Sequence, residues 1–318
     1  MKAAIVRGPG QTPVYADFAE PALMPQETLI RVTASAISPL ARARAAGSHY
    51  SVTGEFPFVA GVDGVGRRDD GGRVYFAFPR APYGGMAEVV AAPVAHCAPI
   101  PDDLDDTTAA AIANPGMSSW VAYKERARLK PGETVLVNGA TGTSGRLAVQ
   151  IAKHLGAKKV IATGRNAEAL ESLAALGADV TIPLSEDSAA LENSLIAQFS
   201  EGVDVVIDYL WGRSAERILA AAARAVTRAR PIRFVQVGSM TGENITLPSA
   251  VLRATAIELM GSGLGSVPLD RLASAIGELL QAAGPAGFKV AFKTAPLSDV
   301  ERAWGESDTT RRTVFVMG

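Results

Sequence analysis

The chain has 318 residues, with 31 Lys and Arg against 32 Asp and Glu and a formal charge of −1. That length carries two domains with cores of their own, and the evenly mixed charge offers no basic face to nucleic acid or an anionic membrane. No apolar stretch reaches transmembrane length, and the start, Met1-Lys2-Ala3-Ala4-Ile5-Val6-Arg7-Gly8, turns polar too soon for a signal peptide. The single cysteine, Cys97, has no partner for an internal disulfide, so a soluble cytoplasmic protein is expected.

Residues 1–115 read as β-rich. Short apolar runs such as Ala3-Ala4-Ile5-Val6, Thr28-Leu29-Ile30-Arg31-Val32 and Ala87-Glu88-Val89-Val90 lie between Pro and Gly turns. From Asp105 the pattern turns helical through Ala109–Ile112, is expected to break at Pro115-Gly116, and resumes over Ser118–Ala127. Strands are then expected at 134–138, 159–163, 179–182, 203–208, 232–237 and 255–260. Helices are expected near 144–155, 167–176, 188–199, 213–228 and 249–253. This alternation predicts an α/β fold with a parallel sheet covered on both faces. Beyond Gly265 come a helix at 269–283, a strand near 289–293, a short helix at 298–305 and a strand at 313–317. That tail is too short to stand alone, so it is expected to complete the N-terminal domain. The division is thus 1–117 with 265–318, and 118–264.

Within the α/β half, the apolar run Val135-Leu136-Val137 feeds a turn with glycines at 139, 142 and 145, followed by the helical segment Leu147–Ala152. Gly139 permits the tight turn, Gly142 leaves room for phosphates, and Gly145 lets the helix pack against the strand. The pyrophosphate of a dinucleotide would rest on the positive end of the helix. Such glycine spacing is weak by itself. Here it lies between one strand and one helix, with a second strand directly after it.

The end of that second strand bears on the choice of dinucleotide. An NAD site usually places Asp or Glu there. This strand instead runs into Thr163-Gly164-Arg165-Asn166, and the first acid is Glu168, inside the next helix. The planar cation of Arg165 suits a 2′-phosphate. NADPH is therefore expected over NADH, the alternative being that Arg165 is a solvated helix-start residue.

With the glycine turn in place, the whole chain resembles the medium-chain dehydrogenase/reductase superfamily, in its zinc-free quinone oxidoreductase branch. The resemblance is carried by Phe58-Val59-Ala60-Gly61-Val62-Asp63-Gly64-Val65-Gly66, Gly72-Arg73-Val74-Tyr75, Gly84-Gly85-Met86-Ala87-Glu88, Gly116-Met117-Ser118-Ser119-Trp120 and Pro296-Leu297-Ser298-Asp299-Val300. It implies a Rossmann doubly wound sheet plus a β-rich GroES-like catalytic domain. Zinc-dependent members carry an early cysteine and a Gly-His-Glu segment. Here those sites read Ser38-Pro39-Leu40 and Gly61-Val62-Asp63, so no metal is expected, and His49, His96 and His154 are too scattered to replace the ligands. The branch's polar pair around Pro39 is also missing, since Ser38 and Ala41 stand there.

The resemblance implies hydride transfer from NADPH to a small quinone or enone. Asn138, Gly139, Thr141, Gly142, Thr143, Ser144, Gly145, Thr163, Gly164, Arg165 and Asn166 are the candidate cofactor residues, the alternative for Asn138 being that it only shapes the turn. Ser118 and the backbone of Gly238-Ser239 are expected beside the nicotinamide, although helix-start and strand-end roles stay open. Tyr209 and Trp211 are equally candidates for the nucleotide wall or for packing. Tyr50 is the preferred proton donor to a developing oxyanion, with His49 behind it. An enoyl or alkenal reductase and a non-catalytic NADPH sensor remain open, and a homodimer is expected through the apolar edge 255–260.

Overall fold

Short apolar strands of the first hundred residues pair antiparallel, and several, such as Lys2–Val6 and Arg73–Ala77, are buried almost throughout. The structure, a computed structural model, describes residues 1–48, 56–184, 188–225, 230–306 and 311–318. In chain order come β1 (Lys2–Val6), β2 (Val14–Asp17), β3 (Glu27–Ala36), α1 (Pro39–Ala45), β4 (Phe58–Val59), β5 (Asp63–Arg68), β6 (Arg73–Ala77), β7 (Val89–Pro93), β8 (Cys97–Pro99) and α2 (Asp106–Val121). Among the described residues, β2-β1-β4 form one sheet. A second contains β3-β5-β6-β8 with β7 beside β3. Ile30, Val32, Val74, Phe76, Val90 and Ala92 fill one side of it.

The next stretch alternates strand and helix: β9 (Thr134–Asn138), α3 (Thr143–His154), β10 (Lys159–Gly164), α4 (Ala167–Glu171), β11 (Val180–Pro183), α5 (Ser188–Glu201), β12 (Val205–Asp208), α6 (Gly212–Ala225), β13 (Pro231–Gln236), α7 (Ser249–Ala254) and β14 (Ala256–Gly261). Every strand pair is parallel, in the order β11-β10-β9-β12-β13-β14. β9, buried along its whole length, is a Val/Leu strand of the kind a doubly covered parallel sheet requires. Small residues of α6, Ala215, Ala221, Ala222 and Ala225, join Leu136, Ile161, Val206 and Phe234 in one core. The chain order reverses between β9 and β12, where doubly wound sheets open a crevice at their carboxyl ends.

The remaining elements are α8 (Leu269–Ala283), β15 (Phe292–Pro296), α9 (Val300–Trp304) and β16 (Arg312–Val316). β16 pairs with β3 and β15, so the tail returns to the second sheet. The chain divides into two compact units, 1–117 with 269–318, and 118–268. Among the described residues, no helix is long and apolar enough to cross a membrane.

Three elements differ from expectation. The helix expected over 167–176 ends at Glu171, and a separate 3-10 turn, Ala174–Leu176, follows. The strand expected near 289–293 lies at Phe292–Pro296. Most tellingly, α2 runs straight through Pro115-Gly116 and passes into a π-helical turn, Ala122–Ala127. Proline cannot donate to the carbonyl four residues back. That carbonyl, of Ala111, instead accepts from Nη1 of buried Arg312 at 2.8 Å. Gly116 matters for another reason: a Cβ there would meet the side chain of Leu279 on α8 at 2.7 Å.

Candidate functional site

The three glycines after β9 differ in surroundings. Gly139 has φ +86°, in the left-handed region that favours glycine. A Cβ on Gly145 would strike the Gly139 carbonyl oxygen and Ala140, so only glycine lets α3 approach the turn this closely. Gly142 is exposed, and a Cβ on it would meet nothing within 4 Å. It is the N-cap of α3 and has no side chain to accept from the first N–H groups of the helix, those of Thr143, Ser144 and Gly145. Open space, unsatisfied donors and the positive helix end thus coincide at one point.

Beneath the turn lies a polar network that sequence reading does not anticipate. Asn138 and Asp208 are partners in the β9–β12 register. The Asn138 amide donates to Asp208 Oδ1 at 2.7 Å and to Ser214 Oγ at 2.9 Å, and Thr163 Oγ1 donates to Asn138 Oδ1 at 2.7 Å. Burial pushes the Asp208 carboxyl above its ordinary range, while donation from the Trp211 and Leu210 N–H groups and Asn138 pulls it back. Those two N–H bonds hold Trp211 at φ +59° and shape the loop leaving β12. Asn138 and Thr163 are fully buried, and their side-chain polar atoms are engaged in this network. Gly164 is buried as well, because the Thr141 side chain packs where its Cβ would stand.

Past the end of β10, Arg165 is exposed and forms no hydrogen bond or ion pair among the described residues. Asn166 caps α4, its Oδ1 accepting from the Ala169 N–H at 2.9 Å. After β13, Gly238 lies against the Tyr209 carbonyl, and Ser239 is exposed. Ser118, near the end of α2, has its Oγ 3.4 Å from the Tyr209 hydroxyl. Burial pushes the Tyr209 phenol up to about 12, so it holds its proton at neutral pH. Turns after β9, β10, β12 and β13 therefore gather at one end of one parallel sheet. His49 and Tyr50 lie outside the described residues.

A probable NADPH-dependent quinone reductase of Emericella nidulans is 30% identical over 347 residues, spanning 96% of both chains. The chain belongs to the medium-chain dehydrogenase/reductase superfamily, in its quinone oxidoreductase branch. The quinone oxidoreductase of Thermus thermophilus, whose crystal structures include a complex with NADPH, matches with a TM-score of 0.82 at 26% identity, over 99% of this chain and 100% of that one. A mycobacterial quinone oxidoreductase shares the fold with a TM-score of 0.84 at 24% identity, over 99% of each chain. The superfamily's profile, named zinc-binding dehydrogenase, matches residues 145–282.

Ser38 and Asp63, at the two positions that the sequence resemblance compared with zinc-ligand segments, both bond within this chain. Ser38 Oγ accepts from the Ala41 N–H and caps α1. Asp63 is buried, and its Oδ2 accepts from the Tyr75 hydroxyl at 2.7 Å. Among the described residues, no three His, Cys, Asp or Glu side chains converge as metal ligands. Cys97 lies on an edge strand with its thiol pushed up to about 11 by burial, which makes it unreactive at neutral pH.

Proposed function

We propose that the protein is a zinc-independent, NADPH-dependent oxidoreductase that reduces a quinone or a related electron-poor carbonyl. The observation that carries this reading is the Gly142 turn: exposed, empty where a side chain would stand, and set on the N-terminal donors of α3. That combination takes a pyrophosphate. Arg165, with no carboxylate at the end of β10, supports the phosphorylated coenzyme. The Emericella relative is named for NADPH and quinone, and the Thermus structure was solved with NADPH, which supports the same cofactor and acceptor.

When bound, NADPH supplies a hydride that, with one proton, takes a quinone to its hydroquinone. The residues of this chain bind and orient. Gly139, Thr141, Gly142, Thr143, Ser144 and Gly145 would hold the pyrophosphate, and Arg165 with Asn166 would hold the adenosine phosphate. Ser118 and the Gly238-Ser239 backbone would flank the nicotinamide. The Tyr209 phenol keeps its proton and is available to donate to Ser118 Oγ. Tyr50, or else His49, is the proposed proton donor to a reduced oxygen.

The test is NADPH oxidation with a panel of quinones and enones, run beside a fluorescence titration of NADPH. Quinone turnover supports the proposal, and turnover of enones alone moves the acceptor to a double bond. Tight binding without turnover of either replaces the enzyme with an NADPH sensor. Elemental analysis that finds about one tightly held zinc per chain would reject the zinc-independent reading. The single cysteine fits a cytoplasmic setting. We further propose a homodimer through β14, the edge strand of the parallel sheet, where Leu259 is 39% exposed. A monomer mass by light scattering at micromolar concentration would reject it.

A further inference from the structure

Arg146 follows the third glycine of the turn and lies one helical turn into α3, a position to which none of the roles above is attached. Its guanidinium bridges two segments. Nε donates to the Thr141 carbonyl of the glycine turn at 3.2 Å, and Nη2 donates to Ser172 Oγ, just past α4, at 3.0 Å. A longer bond from Nη2 to the Ala169 carbonyl, 3.5 Å, adds to the α4 side. Ser172 Oγ itself donates to that carbonyl at 2.7 Å, so the arginine grips a closed corner of the helix.

α4 needs such a grip. It has five residues, too few for a helix to hold itself in water. Its N-terminal cap is Asn166, and Arg165 immediately precedes that cap. The orientation of Arg165 therefore depends on where α4 sits relative to the glycine turn. The Ala140 N–H donates to the Thr163 carbonyl at 2.8 Å, which fixes the end of β10 to the same turn. Strand end and helix are thus both referred to the glycine turn, the first through backbone and the second through Arg146.

We propose that Arg146 is a positioning residue for cofactor choice. It braces α4 against the glycine turn, so that one ligand meets the pyrophosphate donors and the Arg165 cation at a fixed spacing. This rests on the reading that Arg165 takes the 2′-phosphate. A ligand carrying both groups gains from a preset spacing, because the entropy of ordering the second contact is already spent. NADH, which lacks the 2′-phosphate, does not call on the spacing.

The experiment titrates NADPH and NADH separately into wild type, R165A, R146M, S172A and the double variant R165A/R146M, following ligand fluorescence, with thermal unfolding as a check on folding. R165A is expected to weaken NADPH by about ten- to a hundredfold and leave NADH within about twofold. R146M should weaken NADPH by about three- to tenfold with NADH unchanged, and the double variant should bind NADPH no worse than R165A alone. S172A, which removes only the exposed far end of the brace, should weaken NADPH by about two- to threefold. If R165A leaves the coenzyme preference intact, the reading of the 2′-phosphate site fails and the brace fails with it. If R165A behaves as expected, the brace alone is overturned by any of three results: R146M leaves NADPH affinity unchanged, R146M weakens both coenzymes alike, or its full effect adds to that of R165A. Should R146M fail to fold, S172A decides, and unchanged NADPH affinity in it overturns the proposal.

Discussion

Asp63 offers a test of the buried chemistry in the β-rich unit. Its side chain is 2% exposed, Tyr75 donates to Oδ2, and Oδ1 is buried without a hydrogen-bond partner among the described residues. Burial raises the carboxyl from 3.8 to about 6, against the pull of the Arg312 charge and the Tyr75 hydroxyl. The native state therefore holds this proton more tightly than the unfolded chain does. The stability from the neutral carboxyl is fully present below about pH 4 and is lost as pH rises through about 6. A rise of about two pKa units is worth about 3 kcal/mol, of which about 2 kcal/mol falls between pH 4.5 and 7.5. Asp63→Asn mimics the neutral form and removes the titration. Urea unfolding of both proteins across that pH range, compared pairwise, cancels every other titrating group. The variant should gain about 2 kcal/mol relative to wild type on going from about pH 4.5 to 7.5. A difference that stays flat within about 0.5 kcal/mol, or that slopes the other way, would show that Asp63 is ionised throughout the range and would refute the reasoning.

Gly142→Val should abolish NADPH binding by fluorescence titration with the melting temperature little changed, because the site is open and its φ of −77° suits any residue; retained affinity would place the coenzyme elsewhere. Gly145→Ala meets backbone rather than space and should destabilise by at least about 1–3 kcal/mol in urea. Arg165→Ala should cost NADPH, and not NADH, about 1.5–3 kcal/mol of binding; an equal loss for both would make Arg165 structural. Arg312→Met leaves the Ala111 carbonyl without its donor and Asp63 without its nearby cation, and should lower stability by about 3–5 kcal/mol; a loss under about 1 kcal/mol would mean that α2 repairs itself.

The glycine turn was legible because each glycine answers to a local rule: a positive φ at Gly139, an empty site at Gly142 and a helix pressed against backbone at Gly145. Strand positions in the parallel sheet followed from runs of Val, Ile and Leu, and α8 fills the expected 269–283. The path of α2 was not legible. A proline reads as a break, and its compensation comes from Arg312, 201 residues beyond the Ala111 carbonyl that it satisfies. The bonding of Asn138 was not legible for a related reason. Its place beside the glycine turn is visible in sequence, but Asp208 is 70 residues away, and pairing the two requires knowing that β12 lies next to β9. Arg146 gave no signal at all, since none of the partners of its guanidinium follows a periodic pattern. Local backbone geometry can be read from the chain, whereas polar closure over long separations cannot.

The proline in α2 also sets an order of events during synthesis. Residues 118–268 are consecutive, so that unit can close as soon as it has left the ribosome, whereas the other unit is split between 1–117 and 269–318. The Ala111 carbonyl is made early, and its donor arrives only with β16. Until then residues 1–117 hold an acceptor without its native donor and a carboxyl whose balancing cation does not yet exist. The nascent chain therefore carries a finished nucleotide-binding fold together with an unfinished second unit, and the final strand acts as the latch that lets the first ones settle.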